Sequence, residues 1–365
     1  MIDQMARAKT PIFILLMDGV PFYPGQLLSI EVTDAAGFES DELTIKFNDW
    51  PRIPTPHEGA EFELSLGYLE WGKPIYIGTY FFEESERLGF DREVTFTAKA
   101  ADHSKTLKEP KTRAWEDLTF GAMADTVAKD HGLKLAIADA LKNHPISYAA
   151  QTEESDQNFL TRMGRKLGAI VTFKDGNLLI SERGSGKTAS GKDLPPVIVG
   201  PTNLLSEGGF TVRLKPRSKY SEVIARWQDR ASGTIKKKIL ETGGEGPSMT
   251  LREVFQSEAE AEAAGNAKVK ELIAGEGELT LEMIGNPLIR AETPVQPNGV
   301  DPDADRVWIA SKVSHVWDYG EEGGTATTVE AEFGIAEKDA KKKKKKSAGA
   351  SSSQQNGEYV SILDR

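Results

Sequence analysis

The chain has 365 residues, of which 39% are hydrophobic and 28% charged, a formal net charge of −11, and no cysteine. That length admits two or three domains with cores of their own. The acidic balance argues against a general nucleic-acid binder, which presents a basic face, and the lack of cysteine rules out disulfides, thiolate zinc sites and cysteine nucleophiles.

No segment is long and apolar enough to span a bilayer as a helix. The run Pro11 to Met17 follows Arg7 and Lys9 but is too short for a signal peptide, and it reads as a buried first strand. Residues 1–105 then show antiparallel β patterning. Ile12 to Leu16 is a strand and Asp18-Gly19 a turn; Leu28, Ile30 and Val32 share one strand face. Leu43, Ile45 and Phe47 repeat the alternation, as do Phe62, Leu64 and Leu66, then Tyr76 to Phe82, then Val94, Phe96, Ala98 and Ala100. Turn residues separate these runs, and six or more short strands so spaced predict a small barrel or sandwich.

Residues 106–207 change period. Thr119 to His131 is predicted helical, with Phe120, Met123, Ala124 and Val127 inward and Gly132 as its stop; Ala138 to Lys142 is a short helical turn. Ser155 caps the next helix through its hydroxyl oxygen, Asp156 sits at the positive dipole end, and Phe159, Leu160, Met163 and Leu167 form its apolar stripe up to Gly168. Ala169 to Lys174 and Asn177 to Ser181 form a hairpin about Asp175-Gly176. This is a compact α/β insert.

Residues 208–335 return to β: Phe210, Val212 and Leu214 alternate, Tyr220 to Gln228 pairs with Thr234 to Glu241, and strands follow at Glu278 to Ile284, Arg306 to Trp317 and Thr325 to Phe333. Between them Ser257 to Ala274 is a helix opened by a capping box with Glu260 and weakened by Gly265. Tyr76 to Glu84 with Val94 to Ala100 resembles Val307 to Trp317 with Thr328 to Phe333, so two related β domains flank the insert. Residues 336–365 form a flexible tail: Lys341 to Lys346 repel one another, little apolar is left to bury, and Tyr359 to Leu363 is a short docking strand. The fold class is β-rich α+β: two antiparallel β-barrel domains, 1–105 and 208–335, around the 106–207 insert.

No catalytic, cofactor or metal site is expected. Gly184-Ser185-Gly186-Lys187-Thr188 suggests a phosphate loop, but the first glycine of that motif falls on Ser181 and no helix follows, so there is no N-terminal dipole for a phosphate. Asp301, Asp303 and Asp305 have calcium-loop spacing, but Arg306 and Lys312 stand where glycine and glutamate are required. His57, His103, His131, His144 and His315 lack metal-ligand spacing; His131 suits a helix C-terminus and His315 a packing position. Glu153, Glu154 and Asp156 are explained by the helix dipole.

The stretch EESDQNFLTRMGRKLGAIVTFKDGNLLISERG, the preceding SKTLKEPKTRAWEDLTFGAMADTVAKDHGL, and the later GNPLIRAETPV and RVWIASKVSHVWDYGEEGGTATTVEAEF resemble the phage late control protein D family, the baseplate hubs of contractile phage tails. The resemblance runs in order from Phe13 to Phe333. It implies a non-enzymatic homotrimer, located in the virion baseplate and assembled in the host cytoplasm, whose paired barrels join the tail tube to a central spike beside the baseplate wedge proteins. The hub portion of type VI secretion spike proteins is similar, but about 30 residues after the last strand are too few for a spike of the chain's own, so a separate spike protein is implied. A tail-borne cell-wall hydrolase and a nucleotide-dependent assembly factor using Gly184 to Thr188 are the rival readings.

Overall fold

Alternating apolar runs become strands, and the inward residue of each alternation is the buried one. The computed structural model describes residues 9–37, 41–90, 92–100, 105–174, 176–205, 209–215, 220–320 and 323–334. His103, Asp175, Lys341 to Lys346 and the rest of the tail lie outside them, so the hairpin turn is described only at Gly176. The first β region holds β1 (Pro11–Met17), β2 (Val20–Pro21), β3 (Leu27–Ala35), β4 (Glu42–Asn48), β5 (Glu61–Tyr68), β6 (Ile75–Leu88) and β7 (Glu93–Lys99). The middle region holds α1 (Lys105–Lys108), β8 (Pro110–Thr119), α2 (Phe120–Asp130), β9 (Lys134–Ile137), α3 (Asp139–Lys142), β10 (Pro145–Ser155), α4 (Asp156–Lys166), β11 (Ala169–Lys174) and β12 (Asn177–Glu182). Then come β13 (Val197–Val199), β14 (Phe210–Leu214), β15 (Glu222–Asp229), β16 (Thr234–Glu241), β17 (Ser248–Phe255), α5 (Glu258–Ala274), β18 (Gly277–Ile284), β19 (Pro294–Pro297), β20 (Trp308–Asp318) and β21 (Thr325–Phe333).

The β-rich α+β class holds, but the two expected barrels are not closed. Among the described residues one 13-stranded sheet runs through both β regions in the order β14-β18-β21-β20-β3-β4-β7-β6-β5-β1-β2, with β13 and β19 attached beside β20. The regions merge because β20 outruns its local partner. β19 covers only its first residues, and β3 covers Lys312 to Asp318 on the same side. The sheet still curls: Phe13 of β1 meets Tyr319, just past β20, at 5.5 Å between ring centroids. Trp317 of β20 is fully buried in the first core with Ile30, Ile45, Phe62 and Phe96, whereas Trp308, Ala310 and Val313 of the same strand lie in the second core.

The internal echo extends well beyond two strands. β5-β6-β7-β4-β3 and β19-β20-β21-β18-β14 are the same chain of antiparallel pairings in the same sequence order. Both hairpins break register at one place, β6 between Phe82 and Glu84 and β20 between Ala310 and Lys312. Aligned there, Glu42-Leu43-Thr44-Ile45 of β4 falls on Glu278-Leu279-Thr280-Leu281 of β18. The halves part company at the next strand, since β1 joins β5 antiparallel and β13 joins β19 parallel.

The insert contains a two-stranded sheet, β8-β10, absent from the sequence reading, and a three-stranded one, β11-β12-β9. Both helices form as expected: Thr119 and Ser155 accept the N–H of Ala122 and Asn158, and Gly132 and Gly168 take positive φ past their ends. α2 and α4 bury Phe120, Met123, Val127, Phe159 and Leu160 in a common core. Trp115 of β8 stacks on Phe159 at 5.7 Å. Elsewhere α5 lies on the β16-β15-β17 sheet. Gly265 also makes room for a side chain of the sheet: a Cβ there would stand 2.2 Å from Leu240 Cδ1, so the end of Leu240 rests against the bare helix backbone and would have to shift for any larger residue. Ser257 caps α5 through the N–H of Glu260, but Glu260 returns its carboxylate to the N–H of Gln256 and not to that of the cap.

Phe159→Ala is expected to lower unfolding free energy by about 3–5 kcal/mol, because the ring is fully buried and its loss leaves a cavity against Trp115. Urea unfolding measures this; a variant within about 1 kcal/mol of wild type would contradict the packing described.

Candidate functional site

Surface chemistry in this chain concentrates where strands meet or stop. At the seam, β3 and β20 pair from Ala35↔Lys312 to Ser29↔Asp318, and the hydroxyls of Thr33 and Ser314 touch across it at 3.1 Å. A polar chain locks the far side. The N–H of Asn286 reaches Thr327 Oγ1 at 2.8 Å, Thr327 meets His315 Nδ1 at 2.9 Å, and His315 Nε2 meets the Ile289 carbonyl at 3.1 Å. A carbonyl only accepts, so Nε2 carries the proton and Nδ1 accepts from the hydroxyl. That is neutral imidazole, and burial pushes its pKa down to about 4.

Further bonds cross between the β regions. The Tyr68 hydroxyl donates to the Gly285 carbonyl at 2.8 Å, and the Arg290 guanidinium donates to the Tyr76 and Ile77 carbonyls at 2.5 Å each. Asp34 accepts the N–H of Ala291 at 3.2 Å. Lys174, at the end of β11, reaches over to bind Asp41 and lies 3.8 Å from Asp34, tying the insert to the seam. Burial, and then the neighbouring Asp34, raise the Asp41 carboxyl to about 6. Burial opposes the Lys174 charge but is outweighed by Asp34 and Asp41, which raise its pKa.

The insert has its own buried ion cluster. Asp156, with no exposure, accepts from Lys111 at 2.6 Å, Gln151 at 2.8 Å, His131 at 2.8 Å and also Arg113. Burial works against its charge, yet those four bonds hold its pKa well below the carboxylate range. The helix dipole is therefore only part of the reason for an acid here. His131 turns its ring to Asp156, which adds to its place beside a helix end. Nothing local in the sequence joins Lys111 and Arg113 to Asp156; the β8-β10 pairing does.

The other candidate residues are occupied structurally. Gly184 donates its N–H to Glu292 Oε2 at 2.9 Å, and burial raises that carboxyl to about 7. Gly186, at positive φ, packs against Pro294, where a Cβ would come within 2.9 Å. Lys187 pairs with Asp193 at 3.3 Å across a short hairpin. Asp305 accepts the N–H groups of Gly299, Val300 and Asp301, and Asp301 accepts that of Asp303, so the acidic run is a self-capped turn. Among the described residues no three His, Asp or Glu side chains are grouped to hold a metal. A cleft between α4, α5 and the ends of β12 and β21 is crossed by the ion pairs Arg183–Glu332 and Lys270–Glu182.

Among the strand edges left without a neighbour in the described residues, two resemble the seam. β14 ends the long sheet and, among the described residues, pairs with β18 alone. β6 pairs with β5 up to Phe81, and beyond Phe82, whose N–H meets Ala60, its β5 side has no strand beside it among the described residues. Exposed edges are templates for adding strands.

Comparison with known proteins gives a consistent picture. The profile of the family described as phage tail baseplate hub (GPD) matches residues 82–320. A probable baseplate hub protein of Escherichia phage 186 is 29% identical over 351 residues, covering 84% of this chain and 89% of that protein. In structure, a tail protein from Neisseria meningitidis MC58 superposes with a TM-score of 0.65 at 12% identity, over 89% of this chain and 97% of its own. An Escherichia coli component of the type VI secretion system superposes at 0.55 and 10% identity, over 88% and 77%.

Two substitutions test the polar contacts. Folded His315 stays neutral down to about 4 whereas its ordinary value is 6.5, so on acidification the unfolded chain takes the proton first. Its contribution is complete above 6.5 and is lost as pH falls from 6.5 towards 4. His315→Gln keeps a donor and an acceptor but cannot titrate, so its stability should fall less over that window, by up to about 3 kcal/mol in the difference between the two curves. Asp156→Asn leaves Lys111 without its carboxylate and Arg113 with Asp130 as its remaining one, and should cost about 3 kcal/mol in denaturant unfolding. Parallel pH curves, or an unchanged Asp156→Asn midpoint, would contradict these assignments.

Proposed function

The chain belongs to the phage tail baseplate hub family, and on that premise we propose that three copies assemble into a ring joining the tube of a contractile phage tail, or of a phage-derived tail particle, to the central membrane-piercing spike. The observation that carries this reading is the doubled five-strand pairing. Two similar halves in each chain offer a sixfold tube six similar positions while keeping three copies for a threefold spike. On this reading residues 1–105 and 208–335 supply the barrel-like halves, 106–207 the insert that braces them, and 336–365 a tail.

The proposed role is mechanical. The strongly perturbed groups support it, because Asp41, Asp156, Glu292 and His315 are each engaged by partners that join one element to another. The relatives are named as baseplate hub proteins and not by a reaction. Likeness to a type VI secretion component supports a shared fold for the hub portion of both machines.

Light scattering of the purified chain, alone and with the spike protein of the same particle, tests the proposal. The expected result is a mass of three chains and a complex with the spike. A stable monomer that ignores the spike would overturn it.

A further inference from the structure

The seam inside one chain is a template for a contact between two chains. β3 adds to the side of β20 left open beyond β19. By the matched pairings, β6 corresponds to β20, β5 to β19 and β14 to β3. β6 has a matching stretch, from Glu84 on, with no strand beside it among the described residues on the side where β5 stops, and β14 likewise has none on the edge that corresponds to β3's seam edge. Nothing within the described chain joins these two edges.

We propose that β14 of one copy pairs antiparallel with Glu84 to Leu88 of β6 in the next copy, with Arg213 opposite Glu86. This rests on the ring reading and specifies its joint. The register follows from the template. Aligning the two hairpins at their bulges places Glu84 on Lys312 and Glu86 on Ser314. Aligning Leu43 with Leu279 places Val212 on Val32 and Arg213 on Thr33. Thr33 and Ser314 touch side chain to side chain across the intrachain seam, so Arg213 and Glu86 meet across the other.

Charge favours that register. Glu84 and Glu86 are exposed on one face of β6, and Arg213 is exposed on β14 with Lys215 just beyond it. The alignment sets Lys215 opposite Glu84, giving two successive opposite-charge pairs. Lys215 already binds Glu278 of its own chain, so the joint adds a second carboxylate to it. Leu88 and Leu214, each 44% exposed, lie in the same joint and gain cover from it. Three copies so joined turn the eight-strand path β14-β18-β21-β20-β3-β4-β7-β6 into one closed barrel, which the single chain lacks.

The test uses the full chain. Arg213→Glu should weaken trimer formation about tenfold or more in sedimentation, and Glu86→Arg in the same chain should restore it. Because the protein has no cysteine, Arg213→Cys with Glu86→Cys should give a disulfide-linked trimer on oxidation, while Arg213→Cys with Glu84→Cys, two residues out of register, should not. All these residues are exposed, and unchanged melting of each variant confirms that the fold is kept. A wild-type trimer that neither responds to the charge reversal nor cross-links through the in-register pair would overturn the joint and leave the ring standing. A wild-type chain that remains monomeric with and without the spike would overturn both.

Discussion

Every N–H and C=O along a buried strand needs a partner, and β20 is the strand on which this requirement organises the molecule. Its length exceeds what the neighbouring hairpin covers. The uncovered part takes β3, from the other end of the sequence, and the two β regions become one sheet. Around that pairing the chain places groups that have no better partner elsewhere: neutral His315, the Tyr68 hydroxyl, the Arg290 guanidinium. The Tyr68 and Arg290 bonds form only when both regions are folded and in register, while His315 fastens β20 to its own half, so seam and cores support one another.

The ionisable groups inside the protein pull in opposite directions as pH changes. Asp156 is held charged, so acid removes its contribution; His315 is held neutral, so acid also works against it. Asp41 and Glu292 are raised, so they favour the fold at lower pH and lose that contribution as pH rises through about 6 and about 7. These groups sit at joints between elements and not in one cleft, which is why they read as fasteners.

Much of the strand content was legible because Ile, Val, Leu and Phe at every second position have one physical meaning on a half-buried sheet. β8 and β10 escaped because their contacts run through Arg113, Gln151 and Trp115 and because β10 carries a bulge where Glu153 takes positive φ. β17 escaped because a register shift against β15 breaks its alternation, and β13 and β19 because they are short and bounded by prolines. The repeat was visible in the two final hairpins, and the matching Glu-Leu-Thr stretches of β4 and β18 would have strengthened it. The seam itself had no local signature: two strands nearly 300 residues apart meet through edges that periodicity does not distinguish.

The halves of this sheet agree in five strands and differ at the sixth, where β1 lies antiparallel and β13 parallel to its neighbour. Two copies of one pattern written in a single gene are free to diverge in a way that six identical subunits are not. A substitution in β4 alters one half of each chain and leaves its counterpart in β18 untouched. In the proposed ring, variation would therefore accumulate on alternate positions, tuning what a threefold neighbour meets while preserving what a sixfold neighbour needs.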